Sequence, residues 1–211
     1  MACLNLFQEA EMNRSIIKLY SIIVFFLGVV LFYTGCNVTE QKKEMTQAEL
    51  VEMGKYLVET SACHDCHTPK VFGPEGMSLD TTRLLSGHQE DFQLYQVDMS
   101  MVGPGKWILT NDHLTAWVGP WGLSYAANLT PDNATGIGAV SEEMFITTIR
   151  EGKMKGVGRH ILPPMPWDVY GKMTDEDLKA IYAYLRTIPV VKNQVPNPSL
   201  PSDVAELYGK K

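Results

Sequence analysis

Cys63-His64-Asp65-Cys66-His67 sets two thiols three residues apart, with an imidazole directly behind the second. At this spacing the thiols can each add across one of the two vinyl groups of a single porphyrin. The adjacent histidine is then held under the iron as an axial nitrogen ligand, and His64 and Asp65 serve as spacers. Three other chemistries use closely spaced cysteines. A zinc site wants a second cysteine or histidine pair at similar spacing, whereas His88, His113 and His160 are scattered singly. A thioredoxin-like redox pair wants a βαβ setting, and here a capped helix leads into the motif. A structural disulfide stays open, but it leaves His67 without a task. Attachment of one haem c gives work to all three side chains.

The sixth ligand decides what such an iron would do. An open position opposite the histidine binds gases or peroxide. A methionine there closes the iron, favours its reduced state and leaves an electron shuttle. Of the methionines that follow the motif, Met165 stands apart in Pro164-Met165-Pro166. Its prolines stiffen the backbone and remove competing N–H donors. The metal ligands expected are therefore His67 and Met165, with His160, His113 and His88 as alternatives for the second. Trp167 and Trp121 could stack along a haem edge or donate a ring N–H to a propionate; Trp167, two residues from Met165, is favoured. Arg150 and Arg159 could pair with a propionate or simply lie at the surface. Leu84 and Leu85 suit a pocket wall or ordinary core packing. Thr68-Pro69 either positions His67 or redirects the chain.

These residues need elements to hold them. Thr46-Gln47-Ala48-Glu49 reads as a capping box opening a helix. Leu50, Met53, Leu57 and Val58 follow on one face, and the helix runs straight into the cysteine motif. Gly54 inside it costs about 1 kcal/mol against alanine, which implies another helix packed closely there. From 68 to about 130 no helical period emerges, and Gly-Pro clusters punctuate the chain. A small β-hairpin is expected where Trp107 to Thr110 and Leu114 to Val118 flank the turn-favouring Asn111-Asp112. Ser141-Glu142-Glu143 starts a second helix that Gly152 ends, and Thr174 to Asp177 caps a third running to about Thr187. Pro189 stops that one. So little regular structure for this length implies that something besides helix packing holds the loops, and a large apolar cofactor would serve.

The N-terminus reads as an address. Arg14 and Lys18 precede an uncharged run from Leu19 to Gly35, the pattern of a secretory signal. The run ends Phe32-Tyr33-Thr34-Gly35-Cys36, which resembles a bacterial lipobox with Cys36 as the lipid anchor. The alternative is an uncleaved membrane anchor, for which the run is at the short limit. Met12 gives a better positive n-region than Met1 and is a candidate start. The expected organisation is a signal peptide over 1–36, a tether over 37–45, a cytochrome c domain over 46–190 and a proline-containing tail over 191–211. Formal charge is −6, all of it in the exported part. An acidic surface argues against nucleic acid as a partner.

Further motifs narrow the reading. Asn128-Leu129-Thr130-Pro131-Asp132, Gly136-Ile137-Gly138, Arg150-Glu151-Gly152 and Pro164-Met165-Pro166-Trp167 lead to a final helix, Asp177 to Arg186. Over roughly Glu49 to Pro196 the chain resembles the class I c-type cytochromes. Within them it is similar to the cytochrome domains that serve periplasmic alcohol and aldehyde dehydrogenases. The resemblance implies a mainly α cytochrome c fold: three or more helices around one haem, long loops, and first and last helices crossing near Gly54 and Tyr184. It implies Cys63 and Cys66 as thioether attachments and His67 with Met165 as the axial pair. It also implies a membrane-tethered, periplasmic or cell-surface electron carrier rather than an enzyme, working with redox protein partners such as a dehydrogenase or a terminal oxidase. Two departures stand out. Many of those subunits carry two or three C-x-x-C-H motifs where this chain has one, and the long stretch 70–127 exceeds what a minimal cytochrome needs. Two rivals remain at this point: a haem-based sensor or peroxidase-type enzyme with an open sixth site, and a non-catalytic haem subunit of a larger oxidoreductase.

Overall fold

The computed structural model describes residues 18–26 and 44–209, in two units that divide near residue 44. In the first unit residues 18–26 are helical (α1) with exposed side chains. Among the described residues no helix is long and apolar enough to cross a membrane. Cys36, Met12 and most of the apolar run lie outside the described residues.

The second unit is built on helix α2 (Gln47–Thr60). Its capping box forms as expected: the Thr46 hydroxyl accepts from the Glu49 N–H, and the Glu49 carboxylate accepts from the Thr46 N–H at 2.7 Å. α2 packs along α6 (Asp175–Leu185), which Thr174 and Asp177 cap in the same reciprocal way. The crossing is as close as Gly54 foretells. A Cβ on Gly54 would lie 1.8 Å from the Ala180 carbonyl oxygen and 2.8 Å from Tyr184 Cβ. α4 (Glu142–Glu151), capped by Ser141 and ended by Gly152 at φ +61°, adds Phe145 and Ile149 to the same core. Val58, Leu178 and Leu185 complete its centre.

Two short helices fall where none was expected. α3 (Cys63–His67) is the motif itself, set off from α2 by Ala62 in the left-handed conformation (φ 58°). α5 (Trp167–Tyr170) follows Met165 directly.

The 70–127 stretch is more regular than a single hairpin. β1 (Lys70–Gly73) and β2 (Gly76–Leu79) pair antiparallel around a Pro74-Glu75 loop, with Gly73 opposite Gly76. β3 (Leu109–Thr110), β4 (Ala116–Gly119) and β5 (Gly122–Tyr125) form a three-stranded antiparallel sheet. The expected pairing is present, with Leu109 opposite Val118, and a second Gly-Pro-X-Gly loop adds the missed strand. Both loops obey one rule: proline starts the turn and glycine accepts the positive φ that closes it, +104° at Gly76 and +98° at Gly122.

The stretch set apart as a tail is folded. Ser199 exchanges two backbone hydrogen bonds with Leu123, both 3.0 Å. Helix α7 (Pro201–Tyr208) then buries Val204 against Val102, Ala116, Val118 and Leu123 in a second, smaller core. Apolar residues on α7 make this contact worthwhile, and proline at its first turn does not oppose the helix.

Loops between the two cores are held by polar staples. The buried Asn193 amide donates to the carbonyls of Ser86 (2.7 Å) and His88 (2.8 Å) and accepts from the Glu90 N–H (3.0 Å). Asn128 donates to the Val191 carbonyl at 2.8 Å and accepts from the Thr130 N–H at 2.9 Å. Side-chain amides thus tie these loops together across the chain.

Candidate haem-binding site

The site begins with an imidazole whose two nitrogens have different tasks. His67 is buried, and its Nδ1 lies 2.8 Å from the Ala127 carbonyl oxygen. A carbonyl only accepts, so Nδ1 carries the proton. Burial holds the ring's pKa below its ordinary value, so the ring is neutral and its lone pair falls on Nε2. A ligating histidine commonly has its other ring N–H held by a carbonyl, which fixes tautomer and ring orientation.

Three segments meet to hold this ring. The Gly87 N–H donates to the His67 carbonyl (2.8 Å), His88 N–H to Ala126 (2.9 Å), and Leu129 N–H to Leu85 (2.8 Å). Thr68 anchors the near side: its hydroxyl accepts from the Leu85 N–H at 2.9 Å. Gly87 is what lets them come so close. At φ +76° its added Cβ would lie 2.5 Å from the Ala126 carbonyl oxygen. Leu85, fully buried, sits in the left-handed region at φ 57°; the two hydrogen bonds on either side of its own backbone hold that strain. Leu85 therefore belongs to the core beside the motif.

Cys63 and Cys66 are unbridged. Burial, with Cys66 and Asp65 adding to it, pushes the Cys63 thiol up to about 11, and Cys66 moves the same way. A thioredoxin-type pair needs the opposite shift, because the thiolate is the nucleophile. Among the described residues no cluster of three or more His, Cys, Asp or Glu side chains could hold a metal ion, so a zinc site finds no ligand set there.

The chain brings Met165 to the same core. Met165 and Cys63 both pack against the cluster of Val58, Leu85 and Leu178. Just downstream, the Tyr170 hydroxyl donates to the Ser61 carbonyl at 2.7 Å, two residues before Cys63. Burial raises the Tyr170 pKa, and the Cys63 and Cys66 thiols add to the shift. On the other flank Ser124 donates to the Pro163 carbonyl at 2.6 Å, and Trp121 Nε1–H donates to Ser124 Oγ at 3.1 Å.

The remaining candidates have other work. His88 is buried with Nδ1 2.9 Å from the Thr115 hydroxyl. His113 Nδ1 accepts from the Lys70 N–H (3.1 Å) and its ring stacks on Phe92 at 4.0 Å. His160 is exposed. Arg150, a propionate candidate, donates to the Gly171 carbonyl and to Asp175 at 2.5 Å, tying the end of α4 to the start of α6. The Trp167 ring lies against Gly152, where an added Cβ would be 2.4 Å away. Arg159 and Trp121 line one cavity of about 370 Å³ with Leu162 and Leu200. Sequence reasoning missed Gly87, Tyr170 and the Ala127 carbonyl, because each acts through a partner far along the chain, and it missed Lys70, whose partners are nearby backbone carbonyls that no side-chain pattern marks.

No protein-family model matches the chain. Curated relatives do. The fructose dehydrogenase cytochrome subunit of Gluconobacter japonicus is 30% identical over 182 residues, 82% of this chain and 30% of that protein. This chain is related to the cytochrome c subunits of dehydrogenases. The gluconate 2-dehydrogenase cytochrome c subunit of Pantoea cypripedii is 45% identical over 65 residues, 31% of this chain and 14% of its own length. The cytochrome c subunit of the alcohol dehydrogenase (quinone) of Gluconobacter oxydans is 35% identical over 85 residues, 39% of this chain and 18% of its own. The chain thus spans under a third of the length of each of these cytochrome subunits. The residues fit the group those names imply: two unbridged thiols on one short helix, and a histidine whose Nδ1 is committed to a carbonyl so that the lone pair falls on Nε2.

Proposed function

We propose that this protein is an exported, single-haem c-type cytochrome that passes electrons between redox proteins. The observation that carries the reading is His67, with Nδ1 committed to the Ala127 carbonyl on the same short helix that bears Cys63 and Cys66. In this reading Cys63 and Cys66 attach haem c, and His67 and Met165 are the axial ligands. The unit from Met45 onward is a cytochrome c fold in which α2 and α6 are the first and last crossing helices. When bound, the haem supplies one-electron exchange, and a thioether ligand raises its potential.

The chain's own residues supply position and exclusion. The Ala127 carbonyl orients the His67 ring. Tyr170 and Ser124 hold the two flanks of the Met165 loop, and Leu85 with Val58 keeps water from the interior. None of these groups performs substrate chemistry. By analogy with the named relatives, the donor is a dehydrogenase catalytic subunit, and a terminal oxidase suits the acceptor. Cys36 would hold the protein at the membrane through a lipid.

The test uses full-length protein matured with haem. Covalent haem that survives denaturing electrophoresis is expected in the wild type and lost in Cys63→Ser/Cys66→Ser. A methionine-to-iron charge-transfer band is expected in the oxidised spectrum and absent in Met165→Ala, which should then bind carbon monoxide readily when reduced. A wild type that already binds carbon monoxide, and a Met165→Ala spectrum unchanged from it, would overturn the carrier in favour of an open-site sensor or peroxidase. Recovery of a dehydrogenase from solubilised membranes with the tagged protein tests the partner.

A further inference from the structure

Lys70 is almost fully buried, with 5% of its surface exposed. Its ammonium group donates to three backbone carbonyls: His64 at 3.2 Å, Asp65 at 2.9 Å and Thr68 at 2.5 Å. An ammonium has three protons to give, and all three close onto the C-terminal end of α3. The last carbonyls of a helix carry partial negative charge and are short of partners within it; of these three, His64's also accepts from the Thr68 N–H at 3.2 Å. Lysines that meet such carbonyls usually do so at the surface, where water shields the charge. Here the charge is set under Thr68 and Pro69, both buried. Its stem is fixed as well. Lys70 opens β1, pairs with Leu79, and its N–H donates to His113 Nδ1 at 3.1 Å. The β1–β2 hairpin and the His113 loop therefore hold a cation in place behind the attachment helix. Asp65, an opposing charge that acts on it, is exposed, and solvent screens it.

We propose that Lys70 is a positioning residue for the redox centre: its buried, fully hydrogen-bonded charge stabilises the reduced iron and raises the reduction potential. The inference rests on haem attachment at Cys63 to His67. Two effects have to be separated. Satisfying three carbonyls needs only donors and fixes the geometry of α3. Favouring the reduced state needs charge, because reduction adds one electron to a centre near a fixed positive charge. The assignment also gives the 70–127 stretch a task, since β1 and His113 both belong to it.

Potentiometric titration of the haem-loaded protein separates the two effects. Lys70→Gln keeps a donor and removes the charge. It is expected to shift the reduction equilibrium about tenfold toward the oxidised form, a fall of about 59 mV for one electron, with covalent haem and the axial-ligand spectrum unchanged. Lys70→Arg keeps the charge with altered geometry and is expected to stay within about twofold of wild type. A Lys70→Gln protein with the wild-type potential overturns the inference. So does a Lys70→Arg protein that falls as far as Lys70→Gln. If the neutral variant does not accumulate with haem, Lys70→Arg decides alone: a wild-type potential supports the role of charge and a tenfold loss overturns it. Absence of covalent haem from the wild type would instead sink the haem reading on which this one stands.

Discussion

The two cores of the second unit are made in opposite ways. The helical core joins α2, α4 and α6 by periodic apolar faces, and each helix carries its own start signal: Thr46, Ser141 and Thr174. The smaller core joins strands of two to four residues to a helix nearly eighty residues further on, with Val204 packed against Leu123. The first forms from instructions that neighbouring residues issue. The second forms only once distant segments have met, which costs loop-closure entropy before any contact rewards it. The candidate site draws on both. His67 stands at the end of the helical part, while the carbonyl that orients it comes from Ala127, just after β5.

Breaking the helical core should have the largest effect. Gly54→Val would drive a branched side chain into the Ala180 carbonyl, which a Cβ alone would approach to 1.8 Å. Neither backbone can yield without parting α2 from α6. A loss of more than about 4 kcal/mol is expected, read by urea unfolding, together with loss of haem retention. A near-wild-type Gly54→Val would mean that the two helices are not in this contact.

Next comes the polar joint between the cores. Asn193→Ala leaves the Ser86 and His88 carbonyls and the Glu90 N–H without the partner each has now. Stranding buried polar groups costs about 1–3 kcal/mol apiece. With partial access to water, a total of about 3 kcal/mol is expected in urea denaturation. Asn193→Asp should be nearly as damaging, because it cannot donate to the two carbonyls.

This contrast explains what could be read in advance. The caps at Thr46, Ser141 and Thr174, the stop at Gly152 and the close approach at Gly54 are local or periodic signals, and each was legible. The C-x-x-C-H pattern stood out because its three side chains lie within five residues. Asn111-Asp112 marked one turn, but β5 was hidden because Trp121 interrupts its Gly-Pro-X-Gly loop with a side chain that suits a core. α7 was hidden behind Pro196, Pro198 and Pro201, which read as a tail that wraps the surface or hangs loose. Gly87 and Lys70 looked like ordinary loop residues. Their meaning lies in Ala126 and in the carbonyls of α3, which no sequence period connects to them. Arg150 read as a propionate partner or a surface cation, whereas Asp175, the acid it pairs with, reads only as an acid in a helix's first turn.

Loosening the smaller core should cost less and stay local. Val204 is fully buried, and Val204→Ala removes two methyl groups from that core. About 2 kcal/mol is expected from lost burial and the cavity left behind. Hydrogen exchange should quicken in β4, β5 and α7 while α2 and α6 keep their protection. Equal loss in both places would show that the two cores unfold as one cooperative unit and would weaken the contrast drawn above.

The smallest effect concerns a proton. His88 is buried between the Tyr125 ring, 4.8 Å away, and Phe92, 5.8 Å away. Burial, with His113 adding to it, lowers its pKa to about 4, against the opposing pull of Asp91. In the unfolded chain a histidine takes up its proton near pH 6.5. Between about pH 6.5 and 4 the unfolded state therefore binds a proton that the folded state refuses. The stability owed to neutral His88 is fully present above that window and drains away as pH falls through it. His64 and His67 are lowered by burial in the same direction, so the informative quantity is a change in slope. His88→Leu should flatten the dependence of unfolding free energy on pH by no more than about 1.4 kcal/mol per pH unit, the limit for one proton. It should also lower stability at pH 7 by about 1 kcal/mol, because the Thr115 hydroxyl loses one of its two side-chain partners and keeps only Asn111. A slope identical to wild type would mean that folded His88 keeps its proton, and with it a smaller core wet enough to solvate a charge.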